Sequence, residues 1–203
     1  MLNNLFVNKN NKTPLIRFPH FKGEYQLFQL KDIVKIQSGK VPNKENSSHI
    51  QNEIYPFPIV SGGTKITNYY KEYNQNENTI TISSRGEAGY VSFQRKKFYL
   101  SNCCFSLKII NKKILIDYLY FYLKSKQEKL YLLQQTTSIP AINVENLKNI
   151  KIYVPLIDSY LSEQTKISDF LTLINQKIEI IQQQKEKIIQ IKKYLLNKMF
   201  VND

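Results

Sequence analysis

The 203-residue sequence is poor in the residues that bind metals or staple small domains: it has two cysteines, Cys103 and Cys104, and two histidines, His20 and His49. Adjacent cysteines rarely bridge each other, because a disulfide demands a geometry that chain neighbours seldom reach. No third cysteine is available as a partner, so both thiols are expected to be reduced, and the expected setting is cytoplasmic. Four such residues cannot be arranged at zinc-finger spacing, so no metal site is predicted. The seven prolines include no Pro-Pro pair. That excludes the Asn/Asp-Pro-Pro-aromatic turn of an adenine or cytosine methyltransferase. Glycine is equally scarce: all six lie between Gly23 and Gly89, and Gly62-Gly63 enter Thr64-Lys65 without the earlier glycine of a phosphate-binding loop. The closest approach to the grouped carboxylates and lysine of a metal-dependent nuclease is Asp158, Glu163 and Lys166, whose internal spacing is wrong for one. Ser83, Ser84 and the two histidines form no nucleophile arrangement. No apolar run reaches membrane-spanning length, and the first twenty residues are polar and Asn-rich, without the apolar core of a signal peptide. The expectation is a soluble protein that is no enzyme itself, holds no cofactor and acts by binding.

What is abundant is positive charge. The formal net charge is +13, from 29 basic and 16 acidic residues. Residues 160–203 hold seven lysines and five acidic residues (+2), so residues 1–159 hold 22 basic against 11 acidic residues (+11). Such a body attracts phosphate backbones or anionic lipid. A plainer origin also exists: 26 of the 29 basic residues are lysine, and that skew, with abundant Asn and Ile, fits an A/T-rich coding bias.

Along the chain, the Asn-rich residues 1–13 read as a flexible arm. The body, residues 14–157, opens at Pro14–Phe21, with a short amphipathic turn of helix through Leu30, Ile33, Val34 and Ile36 towards Gly39. Strand-like runs follow at Phe57–Val60, Thr79–Ser83, Tyr90–Phe93 and Cys104–Ile110, each β-branched or aromatic. Leu115–Gln134 reads as a helix whose Leu119, Leu123, Leu130 and Leu133 face a core, with Tyr118, Tyr120 and Tyr122 partly outward. A polar loop, Thr136–Asn143, precedes a last strand, Ile150–Val154. The pattern predicts an α+β fold: one mixed α/β domain without internal duplication, followed by a long helix over residues 158–203.

That helix carries a heptad ladder, Ile167, Ile174, Ile181, Ile188 and Leu195, joined by Leu171 and Ile178 in the 4,3 spacing of an a/d seam. The second column then passes to Lys185, Lys192 and Met199, so the seam weakens after two heptads. Ile180, Ile189 and Ile191 widen the apolar face beyond what a two-stranded zipper needs. Neither Pro nor Gly follows Pro155, and Ser162 to Met199 would form a rod about 57 Å long. The stripe is explained by a partner helix, or by the helix folding back on its own domain.

Five fragments in order now resemble one family. They are Pro14-Leu-Ile-Arg-Phe-Pro-His-Phe21 with Leu30-Lys-Asp-Ile33 leading to Gly39; Ile82-Ser-Ser-Arg-Gly-Glu-Ala-Gly89; Ser138-Ile-Pro-Ala-Ile-Asn143; Ile150-Lys-Ile-Tyr-Val-Pro155; and Glu163-Gln164 entering the apolar helix. Together they resemble the target-recognition domain and spacer helix of a type I restriction-modification specificity subunit. Full subunits of that family carry two recognition domains and two spacer helices, whereas this chain has one of each and resembles a half-subunit.

The resemblance implies a DNA-recognition subunit that dimerises through its C-terminal helix and reads a split palindromic site. It further implies methyltransferase subunits that bring S-adenosylmethionine and restriction motor subunits that use ATP, as partners beside double-stranded DNA and a second copy. Candidate DNA contacts are basic and polar loop residues, since Arg and Lys anchor phosphates and Arg, Asn, Gln, Ser and Thr read base edges. They are Lys40 and Lys44 after Gly39; Lys65, Thr67 and Tyr69 after Gly62-Gly63; Arg85 and Gly86; the run Arg95, Lys96 and Lys97; and Thr137 and Ser138. Arg85 is alternatively an ion-pair partner of Glu87, and the Arg95–Lys97 run a solvated hairpin tip. The dimerisation residues are Ile167, Leu171, Ile174, Ile178, Ile181, Ile188 and Leu195. Two other readings stay open: a DNA-binding regulator or anti-restriction decoy competing for methyltransferase subunits, and a coiled-coil interaction protein without a DNA role.

Overall fold

Short β-branched and aromatic runs, broken by polar turns, set the elements of the body one after another. The computed structural model describes residues 2–7, 13–134, 141–155 and 160–200. In chain order they are β1 (Tyr25–Gln29), α1 (Leu30–Ile33), β2 (Val34–Ser38), β3 (Ser47–Ser48), β4 (Phe57–Val60), β5 (Tyr69–Tyr70), β6 (Thr79–Ser83), β7 (Val91–Gln94), β8 (Tyr99–Leu100) and β9 (Cys104–Ile109). Then come α2 (Ile116–Ser125), α3 (Gln127–Tyr131), α4 (Val144–Lys148), β10 (Lys151–Pro155) and α5 (Tyr160–Phe200). The α+β class read from the sequence is the class observed.

Three sheets organise the body. β2, β9, β6 and β7 form a four-stranded antiparallel sheet in that order. Its central strand β6 is covered on both faces, with Ile80 and Ile82 fully buried and Thr81 and Ser83 buried opposite them. A smaller mixed sheet runs β3-β5-β4-β8, where β4 and β8 are parallel. The third sheet is the antiparallel pair β1–β10, in register from Tyr25↔Pro155 to Gln29↔Lys151.

α2 packs against β6 and β7 and reaches β10 with its phenols: Tyr118 and Tyr122 donate hydroxyl hydrogen bonds to the carbonyls of Tyr153 (2.8 Å) and Lys151 (3.2 Å). Both rings are buried, which corrects the expectation that they face partly outward. A helix tyrosine can be core when its hydroxyl has a buried acceptor. The expected Leu115–Gln134 helix is also divided. The Ser125 hydroxyl donates back to the Tyr122 carbonyl (2.7 Å), and Lys126 leaves helical geometry before α3 begins. Likewise the expected helical turn through Ile36 stops at Ile33, and Val34 to Ser38 extend along β9.

The flexible arm expected over residues 1–13 is corrected for residues 2–7, while residues 1 and 8–12 lie outside the described residues. Leu2–Leu5 form a 3-10 turn, and Leu5, Phe6 and Val7 are buried. Phe6 packs edge-on against Tyr118 and Tyr122 at 5.6 and 5.4 Å. Three consecutive apolar residues outweigh the asparagines around them.

The chain divides into two compact units, Met1–Thr165 and Lys166–Asp203. The first turns of α5 belong to the body and are tied in by two polar side chains. The Glu163 carboxylate takes both ends of the Arg17 guanidinium at 2.8 Å and a hydrogen bond from the Tyr25 hydroxyl at 2.9 Å. The hydrogen bond to Glu163 raises the Arg17 pKa, against the opposing effect of burial. Burial, with the Glu163 charge, holds the Tyr25 phenol protonated. Gln164 accepts from Leu115 N–H (2.8 Å) and donates to the Lys113 carbonyl (2.9 Å), occupying backbone groups at the start of α2. In the second unit, α5 continues without a break to Phe200, and the whole helix spans 41 residues. Ile167 and Leu171 are buried and Ile174 half-buried, while Ile178, Ile181, Ile188 and Leu195 are all exposed. The apolar seam is therefore solvent-facing from Ile178 onward.

Candidate nucleic-acid interface

Four loops of the body are knitted together by their own backbone. After β2, Gly39 N–H donates to the Cys104 carbonyl and Lys40 N–H to Leu100, while Asn102 N–H returns to the Lys40 carbonyl, each at 3.1 Å. The next link is Ser101 N–H to Val60 (3.0 Å), with the Ser101 hydroxyl donating to Ser61 Oγ at 3.1 Å. Ser84 and Arg85 N–H both donate to the Cys103 carbonyl, at 2.8 and 3.4 Å. Finally Glu87 N–H donates to Gly62 at 2.7 Å. Residues 39–41, 61–65, 84–89 and 101–103 thus form one cluster.

Two glycines permit this approach. A Cβ on Gly62 would lie 2.2 Å from the Arg85 carbonyl oxygen, and one on Gly39 would lie 2.1 Å from that of Ser101. Neither obstacle is a flexible side chain, so any larger residue would force the loops apart. Cys104 closes the cluster from below. Burial pushes its thiol up to about 12, so it stays neutral and contacts the Ser61 carbonyl as a donor at 3.0 Å. It serves as packing and not as a thiolate.

The cluster carries Lys40, Lys65, Arg85 and Gly86, all exposed. No ion pair joins Arg85 to Glu87 among the described residues. The Arg85 backbone instead pairs with Ala141, and Ile142 N–H donates to the Ser84 carbonyl (2.9 Å). Cationic side chains raised on fixed, partly glycine-built loops can anchor phosphates and present a guanidinium fork to base edges. Sequence reasoning missed the loop at 101–103, which adds exposed Asn102; its only signal was a polar Ser-Asn step ahead of a strand.

The other sequence-predicted residues fall elsewhere. Lys44 is exposed on the 3-10 turn Lys44–Asn46. Exposed Thr67 offers its carbonyl to His49 Nδ1 at 3.4 Å, and Tyr69 is half-buried in β5. Arg95 pairs with Asp117 at 3.2 Å and lies 4.2 Å from the Phe93 ring centroid. Arg95, Lys96 and Lys97 are all exposed, as the reading of a solvated run expects, and Arg95 has these two contacts in addition. Lys97 sits 4.5 Å from the Tyr73 ring centroid, and Lys96 is exposed beside it. Thr137 and Ser138 lie outside the described residues. Among the described residues no group of His, Cys, Asp and Glu is placed to hold a metal, and no helix is long and apolar enough to cross a membrane.

Comparison with known proteins points the same way. The family model described as type I restriction modification DNA specificity domain matches residues 22–190. The specificity subunit of the type I restriction enzyme MjaVIII from Methanocaldococcus jannaschii is 29% identical over 187 residues, covering 87% of this chain and 42% of that protein. The specificity subunit of type I restriction enzyme MpnII from Mycoplasma pneumoniae is 30% identical over 152 residues, 72% of this chain and 43% of that protein. Among solved structures, the type I restriction-modification S subunit from M. genitalium superposes with a TM-score of 0.71 at 22% identity, over 98% of this chain and 47% of that one. The HsdS subunit from Thermoanaerobacter tengcongensis gives 0.62 at 17% identity, over 100% and 49%. The two structures share the fold, and the chain spans less than half the length of each of these four relatives.

Proposed function

The chain belongs to the family of type I restriction modification DNA specificity domains, and on that premise we propose that it is one recognition half of a specificity subunit. It reads a short double-stranded DNA sequence and performs no chemistry itself. The observation that carries this reading is the four-loop cluster, whose backbone links join the loops bearing the exposed Lys40, Lys65 and Arg85 on a body of net charge +11. Phosphate anchoring by the lysines sets register, and Arg85 is the residue placed to read a base.

The C-terminal helix pairs with the same helix of a second copy through Ile178, Ile181, Ile188 and Leu195, which a lone chain leaves exposed. Identical heads on a twofold axis read two inverted copies of one sequence, separated by an unread gap. Catalysis belongs to partners: methyltransferase subunits carrying S-adenosylmethionine, and ATP-driven restriction motor subunits. The stripe of Ile180, Ile189 and Ile191 is where those subunits dock.

The test is the methylated motif in DNA from cells that express the chain with methyltransferase subunits. A split palindrome is expected, and removal of one heptad from α5 should shift or abolish the preferred gap. A contiguous motif, or a gap indifferent to helix length, would refute the paired-head model. Capture of methyltransferase subunits without any methylation would instead favour the decoy.

A further inference from the structure

Beside the loop cluster, the small sheet holds a second feature that phosphate anchoring does not explain. A cleft of about 330 Å³ is lined by Phe57, Pro58, Ile66 and Tyr69, with Gln51, Lys96 and Lys97 as its polar members. Its shape is fixed in advance. Pro58 pairs with Tyr69 across β4 and β5, and the Gln51 side-chain amide donates to the Pro56 carbonyl at 2.9 Å. Phe57 packs edge-on to Tyr73 at 5.1 Å, and Lys97 lies over that same tyrosine. Ile66 stays 41% exposed. It follows Lys65 directly, so cleft and cluster share one loop.

The lining is more apolar than polar and its one amide donor, Gln51, is engaged by the Pro56 carbonyl, so phosphates would meet chiefly the two lysines. Nor is this a wedge for unstacking bases, because wedges protrude and this surface is hollow. In the major groove of DNA one apolar group stands out from the base edges: the C5-methyl of thymine. We infer that the cleft reads thymine methyl groups, with Ile66 and Tyr69 as specificity-determining contacts and Lys96 and Lys97 holding the flanking phosphates. This inference rests on the DNA-reading proposal and extends it from charge to base identity.

Deoxyuridine differs from thymidine only by that methyl, which makes the test direct. Duplexes selected by the full chain from a random pool give its motif, and binding is then compared on the motif with thymidine or deoxyuridine. Loss of each methyl read by the cleft should weaken binding by about three- to fivefold, the equivalent of one buried methyl group. Ile66→Ala should lower affinity for the thymidine duplex and bring the two duplexes within about twofold of each other. The wild-type comparison needs no substitution, so a folding defect in the variant cannot mask it. A motif without thymine, or one that tolerates deoxyuridine at every position, overturns the cleft assignment while leaving DNA reading intact. Failure to select any duplex overturns the DNA reading itself and the inference with it.

Discussion

At the scale of single residues, the proposed base reader is Arg85. Its loop is pinned at both sides, by Cys103 and by Ala141, and its side chain is not consumed by Glu87. Arg85→Ala should cost about 1–3 kcal/mol of specific binding if the guanidinium forks onto a guanine. Affinities measured on cognate and scrambled duplexes check this, and an equal loss on both would make Arg85 a phosphate anchor. The residue scale is also where sequence reading was weakest. Arg17 stood inside a quoted motif, yet its role became visible only with Glu163, 146 positions away. Tyr118 and Tyr122 were placed partly outward because periodicity alone does not reveal the carbonyls of β10 that receive their hydroxyls.

At the scale of elements, α5 is two things along one helix. Its first turns are locked to the body by Glu163 and Gln164, and its later heptads offer an unpaired seam. Glu163→Ala takes the carboxylate from a half-buried guanidinium, which keeps the carbonyls of Gly23 and Lys22, and removes the acceptor of Tyr25. It should cost about 1–3 kcal/mol of body stability, the range for leaving a buried polar group without its partner. Urea denaturation measures this, and Glu163→Gln, which keeps an acceptor for Tyr25, should cost less. A loss under 1 kcal/mol for the alanine variant would show that the lock is dispensable. Ile181→Asp should leave the body's stability unchanged but disrupt self-association, since it places a charge in the exposed seam. Sedimentation at matched concentrations decides the matter: wild type and variant of equal mass would remove the paired-helix model. These heptads were legible from sequence because a period of seven residues is a local property. The start of the helix, described from Tyr160 onward, was not, because no full capping box marks it.

For the whole molecule, burial of ionisable groups predicts a pH dependence. The Cys104 thiol, pushed up from 9.0 to about 12, keeps its proton in the fold but loses it earlier in the unfolded chain. The unfolded state then binds fewer protons, so stability present below pH 9.0 is lost as pH rises towards about 12. Tyr118 and Tyr122, raised chiefly by burial, act with the same sign. Lys124 and Lys126, lowered by burial, act oppositely. The Cys104 share is read as the stability difference between wild type and Cys104→Ala in denaturant titration, which should fall from about pH 9.0 towards about 12. A rise over that interval would contradict the sign.

The sequence by itself determined the α+β class, the strands with strong β-branched runs, the charge asymmetry between body and tail, and the heptad helix. Each of these depends on residue type and near-neighbour spacing, which the chain carries openly. Only the tertiary structure decided that the turns holding Lys40, Lys65 and Arg85 are one surface, that Asn102 joins them, and that Lys96 and Lys97 edge a separate apolar cleft. Backbone hydrogen bonds between segments far apart in sequence, made possible by Gly39 and Gly62 where side chains would collide, bring those turns together. Such pairings leave almost no local mark, because what they require of each partner is an absent side chain and a free N–H.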